Sequence, residues 1–149
     1  MTRARIEGQL QLDQATYAAL VEHALSDFPF EVCGLLAGIN GRVVKHYRIP
    51  NAARSMTYYS MDPKPMLHAM NEIDDEDWDL LAIYHSHTHT EAFPSPTDIE
   101  LAFYPEPTYL IISLQDQDAP VLRGFGIVDG AVTERLLLVD GEPAHVGAR

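Results

Sequence analysis

The chain contains a single cysteine, Cys33, among 149 residues. An intramolecular disulfide is therefore excluded, and nothing in the composition asks for an oxidising compartment, so the cytoplasm is the expected location. Positive charge is also scarce: 10 Lys and Arg stand against 22 Asp and Glu, a formal net charge of -12. Such a surface repels phosphate backbones and anionic lipid, which argues against nucleic acid and membrane partners. No stretch approaches the ~18 consecutive apolar residues of a spanning helix, and the opening Met-Thr-Arg-Ala-Arg-Ile-Glu-Gly lacks the apolar centre of an export signal. Repeats, low-complexity tracts and proline-rich linkers are lacking too. With 46% apolar residues, the expectation is one domain over residues 1–149 with a core of ordinary size.

Periodicity then divides the chain into helices and strands. Residues 6–12 alternate polar and apolar as a first strand does, and Asp13 can cap a helix whose Tyr17, Leu20, Val21, Ala24, Leu25 and Phe28 fall at helical spacing, ended by Pro29. A strand is expected from Glu31 to Gly38, a tight turn at Asn40-Gly41, and a returning strand over residues 42–49. Asp62-Pro63 opens a second helix as far as Asn71, and the acidic run 74–77 reads as a solvated loop. Further strands are expected over 79–87, 108–114, 121–128 and 131–139, with a turn at Asp129-Gly130 and a loose tail after Asp140. Helices among strands, some joined by hairpins, predict an α/β fold: a mixed β-sheet flanked by helices.

The densest chemistry lies at the end of the 79–87 strand, in His-Ser-His-Thr-His-Thr-Glu-Ala-Phe-Pro-Ser-Pro-Thr-Asp, residues 85–98. Alternate strand residues share a face, so His85 and His87 project together, their α-carbons about 6.6 Å apart. Ser95 and Asp98 by themselves fit a helix start, because Ser-x-x-acid is a capping box and the helix dipole favours an early Asp. As a set, His-x-His-x7-Ser-x2-Asp is expected by chance in about one such sequence per thousand. Two imidazoles and a carboxylate also suit a catalytic zinc, which keeps three protein ligands and an open position.

A hydrolytic centre of that kind needs a base, and no His-Glu-x-x-His occurs. Glu31, an acid beginning an apolar strand, is the candidate, although an exposed edge glutamate has the same appearance. His89 continues the His85, His87 face and is a rival third ligand; a bend near Thr88 favours its exposure instead. Cys33 falls on the strand face of Glu31, where a small buried hydrophobe is the ordinary role of a free cysteine. His23, His46, His68 and His145 lack partners at ligand spacing and read as surface or core residues.

Glu31 in Glu-x-Cys-Gly-x-Leu-x-Gly, followed by His85-x-His87-x7-Ser95-x2-Asp98, resembles the JAMM (MPN+) zinc metallopeptidases. The continuation His-Ser-His-Thr-x-Thr-Glu-Ala-Phe-Pro-Ser and the later Ile127-Val-Asp-Gly-Ala-Val-Thr-Glu134 look most like the Mec-type hydrolases, which release cysteine from the C-terminus of a ubiquitin-like sulfur-carrier protein. The resemblance implies zinc on His85, His87 and Asp98, Glu31 holding the attacking water, Ser95 donating to the oxyanion, and a cytidine-deaminase-like curved sheet. Deaminase chemistry is not implied, because the His-x-Glu and Pro-Cys-x-x-Cys ligands of those enzymes are missing. The implied partner is a carrier ending in Gly-Gly, entering as an extended chain that pairs with an exposed strand beside the site. A broader isopeptidase acting on lysine-linked conjugates and a non-catalytic scaffold with a structural zinc are the alternatives, and a homodimer is left open.

Overall fold

The structure, a computed structural model, describes residues 9–144. Part of the expected first strand and His145 lie outside them. β1 (Leu10–Leu12) leads into α1 (Gln14–Ser26), where the Asp13 side chain caps by accepting from Thr16 N–H. β2 (Cys33–Ile39) and β3 (Arg42–Ile49) form the expected hairpin, with Asn40 and Gly41 both at positive φ, as such a tight turn demands. α2 (Pro63–Asp75), β4 (Asp79–His87), α3 (Pro96–Glu100), β5 (Thr108–Ser113) and β6 (Val121–Val128) follow. β7 (Ala131–Arg135), β8 (Leu137–Val139) and β9 (Glu142–Pro143) complete the described elements.

All nine strands belong to one mixed sheet in the order β7-β6-β5-β4-β2-β3-β1-β8-β9. The expected strand over 131–139 is broken at Leu136: β7 pairs antiparallel with β6, whereas β8 pairs parallel with β1 near the opposite end. A single residue spans only a few ångströms, so the sheet curls until its two ends lie side by side. Of the tail expected to be loose after Asp140, residues 141–144 turn at Gly141 and add β9 to β8, and the rest lies outside the described residues.

The two faces of the sheet carry separate cores. Leu20 and Ala24 of α1 pack with Leu36, Ala82, Tyr84, Leu110 and Ile112, while Ala69 and Ile73 of α2 pack with Leu35, Ile83, Ile111, Phe125 and Ile127. Alternation along β4 therefore sends Tyr84 toward α1 and His85 toward the α2 side. α2 runs past the expected Asn71 because Ile73 extends its buried stripe; Asp74 and Asp75 are helical, though solvent-exposed as expected for the acidic run.

Candidate metal centre

β4 is paired on both sides, antiparallel to β2 and parallel to β5, so His85 and His87 stand on rigid interior backbone. β4 therefore has no free edge to which a substrate strand could add. The strand stops at His87, and the chain returns through residues 88–95 to α3. Ser95 caps that helix through a complete capping box, its hydroxyl accepting from Asp98 N–H at 3.1 Å while Asp98 Oδ2 accepts from Ser95 N–H at 2.9 Å.

The same Asp98 oxygen meets the histidines. His85 Nε2 lies 3.2 Å from His87 Nε2, and Asp98 Oδ2 lies 3.2 Å from the first and 2.9 Å from the second. His87 Nδ1 is 2.8 Å from the Glu91 carbonyl oxygen, which accepts its N–H and leaves Nε2 of the neutral ring with a lone pair. That lone pair faces a carboxylate oxygen and a second ring nitrogen, an arrangement that a shared cation would satisfy. Donors around a tetrahedral zinc with 2.0–2.1 Å bonds are separated by about 3.3 Å, so the three atoms fit such an ion. Burial works against ionising Asp98, but its contacts with both imidazoles and the hydrogen bond from Ser95 N–H hold its carboxyl far below the usual carboxylate range. Burial lowers His85; His87 is raised despite burial by its bonds to Asp98 and the Glu91 carbonyl.

Glu31 is 4% exposed and its Oε1 has no hydrogen-bond partner. Burial, with a further push from Asp98, raises its carboxyl to about 8, against an opposing pull from His87. Contrary to expectation, Glu31 precedes the strand: β2 begins at Cys33, because the backbone of Glu31 is bonded elsewhere. Its N–H donates to the Ser55 carbonyl at 2.8 Å, and its own carbonyl accepts from Asn51 Nδ2 at 3.0 Å. Val32 then joins β4 through Ser86, whose hydroxyl accepts from Val32 N–H at 2.9 Å. Cys33 lies opposite His85, fully buried, with its Sγ 3.3 Å from the Ile49 carbonyl; burial and Glu31 push the thiol up to about 12, so it behaves as a buried hydrophobe.

The remaining histidines separate from the centre. His89 is exposed and packs its ring against Phe28, 5.4 Å between centroids, and is not among the converging donors. His68 is exposed, while His23 and His46 share a hydrogen-bonded contact with Tyr84 on the other sheet face.

Several contributors carry no motif. Tyr59 stacks on His85 with centroids 4.6 Å apart, and a cavity of about 280 Å³ beside Asp98 is lined by Tyr59, Met66, Met70, Leu101 and Tyr109. The Tyr58-Tyr59 doublet within a polar stretch is the one sequence signal that pointed there. Asn51 and Ser55, which hold Glu31, have none.

The family of prokaryotic homologs of the JAB domain matches residues 13–123. The CysO-cysteine peptidase of Mycobacterium tuberculosis is 46% identical over 118 residues, 78% of this chain and 81% of that protein. A desampylase of Haloferax volcanii is 33% identical over 116 residues, 76% of this chain and 84% of that protein. A solution structure of a protein from Desulfitobacterium hafniense superposes with a TM-score of 0.79 at 35% identity, covering 89% of this chain and 94% of the other. The matched span runs through Glu31, both strand histidines and Asp98 on a curled mixed sheet, and the chain belongs to the prokaryotic JAB-domain family.

Proposed function

We propose that the chain is a zinc-dependent hydrolase that cleaves the amide bond after the C-terminal Gly-Gly of a ubiquitin-like sulfur-carrier protein and releases cysteine. The observation that carries this reading is the convergence of His85 Nε2, His87 Nε2 and Asp98 Oδ2 beside a buried, unpartnered Glu31 carboxyl. The cysteine leaving group follows the relative whose name specifies it.

His85, His87 and Asp98 would hold the ion. When bound, zinc supplies Lewis acidity and water acidified toward a pKa of ~7. The chain's own groups do the rest. Glu31 takes the proton from the attacking water and passes it to the departing amine, a task suited to a carboxyl that burial has moved toward neutral pH. Ser95 Oγ accepts from Asp98 N–H, so its own proton remains for the oxyanion that forms at the substrate carbonyl. Tyr59 and the paired neighbours of β4 fix the His85 ring, and the cavity beside Asp98 offers an apolar seat for the side chain of an arriving tail.

The test compares a carrier-Gly-Gly-Cys adduct with a lysine-linked conjugate of the same carrier, each incubated with zinc-loaded protein and followed by mass spectrometry. The reading expects the cysteine adduct to be cleaved at least tenfold faster. Preferential cleavage of the lysine conjugate would support the broader isopeptidase that the desampylase relative favours. No cleavage of either would leave only a scaffold.

A further inference from the structure

The segment that clamps Glu31 also carries an unpaired cation. Asn51 organises it: the side-chain oxygen accepts from Ala53 N–H at 3.0 Å and Ser60 N–H at 2.9 Å, its carbonyl accepts from Arg54 N–H at 3.1 Å, and its side-chain nitrogen donates to Glu31. Ser55 accepts from Glu31 N–H, and the next residue, Met56, accepts from the Thr88 hydroxyl at 3.1 Å. Residues 51–56 thus form a strap from the base across to the end of the histidine strand. Arg54 sits in its middle at φ 46, a left-handed conformation that arginine seldom adopts.

The Arg54 guanidinium lies over the ring of Phe30, 4.6 Å from its centroid, and Phe30 is the residue before Glu31. It forms no ion pair among the described residues, in a chain with 22 acidic residues and only 10 Lys and Arg. A contact with the ring face uses the cation's charge and no hydrogen bond, so the guanidinium N–H groups remain available to a planar anion. A carboxylate is the matching partner, bound by two parallel N–H···O bonds. The cavity beside Asp98 is lined mostly by apolar and aromatic side chains and holds no Lys or Arg to meet a carboxylate.

We infer that Arg54 determines leaving-group specificity by binding the free α-carboxylate of a C-terminal amino acid: its exposed guanidinium, without an ion pair among the described residues, lies over the ring of Phe30, the residue before Glu31, in a strap bonded to both backbone groups of Glu31. The inference rests on the carrier-hydrolase reading and deepens it, because a lysine within a folded target offers no carboxylate at that distance from its amide. Arg54 acts on binding and orientation and takes no part in the proton transfers.

The test uses full-length, zinc-loaded protein and two carrier adducts, one ending in Gly-Gly-Cys with its natural carboxylate and one ending in Gly-Gly-Cys carboxamide. Wild type is expected to favour the carboxylate by about tenfold in kcat/KM, chiefly through KM, the scale of one charge-assisted contact at an accessible site. Arg54→Asn, whose side chain tolerates the left-handed backbone, is expected to cleave the two equally; Arg54→Lys is expected to recover part of the preference. Thermal unfolding of each variant identifies any loss of fold, and Arg54→Lys then carries the comparison. Equal wild-type rates on both adducts, or an undiminished preference in Arg54→Asn, would overturn the role of Arg54 while leaving the hydrolase reading intact. Failure of wild type to cleave either adduct would remove both.

Discussion

Asp98 closes the capping box of α3 with the same oxygen that it presents to His85 and His87. The cap and the metal-facing role, which compete when the sequence is read locally, are one geometry: the helix start aims the carboxylate. Ser95 has the complementary arrangement: its oxygen accepts from Asp98 N–H in the cap, and in the proposed reaction its proton would go to the oxyanion. Ser95→Ala is therefore expected to cost about 1 kcal/mol in unfolding free energy, the worth of an N-cap, and 10² to 10³ in kcat, the order of magnitude of a lost oxyanion donor. Urea denaturation and steady-state kinetics on one preparation read both effects. A rate loss no larger than the stability change explains would leave Ser95 as a cap alone.

Between elements, the back of the sheet decides how the front is registered. Gly34 in β2 pairs with Tyr84 in β4, and a Cβ there would overlap both the Tyr84 ring and the Tyr47 carbonyl oxygen. Gly34→Ala is expected to destabilise the fold by about 3 kcal/mol, measured by denaturant midpoint, because backbone would have to move. The Tyr84 hydroxyl bonds His23 Nδ1 of α1 and His46 Nε2 of β3, each at 2.7 Å, joining three elements behind the histidine strand. Burial, aided by Arg48, lowers both imidazoles from 6.5 to about 4. The unfolded chain therefore takes up protons between pH 6.5 and 4 that the folded chain refuses, so their contribution to stability is complete above pH 6.5 and is lost as pH falls toward 4. Denaturant midpoints across that window should fall more steeply in wild type than in His46→Gln; parallel curves would show that His46 titrates alike in the folded and unfolded chain.

At this scale the sequence was readable where side chains repeat. The alternation of 79–87 placed His85 and His87 on one face, and the capping signature placed Ser95 and Asp98 at a helix start. The break at Leu136 was not readable, because 131–139 is one β-like run and its division depends on where the sheet closes. The strap over residues 51–60 was equally hidden: it lacks periodicity, and its bonds to Glu31 and Thr88 cross some 20 to 30 residues of chain.

For the molecule as a whole, the curled sheet keeps two cores apart and sets the centre on one face with interior strands beneath it. No helix among the described residues is long and apolar enough to cross a membrane. The net negative charge repels anionic macromolecules, which singles out Arg54, in the strap that holds Glu31, as the proposed point for recognising a small carboxylate. The central claim is that His85, His87 and Asp98 hold one zinc ion against which Glu31 works. Elemental analysis of protein prepared without chelator, dialysed against zinc and then against buffer, tests it most directly when set beside hydrolysis rates. The account predicts about one zinc per chain in wild type and in Glu31→Gln, with hydrolysis lost in the latter, and little bound zinc in Asp98→Ala. Wild type that emerges free of zinc, or Asp98→Ala that retains a full equivalent, would contradict it.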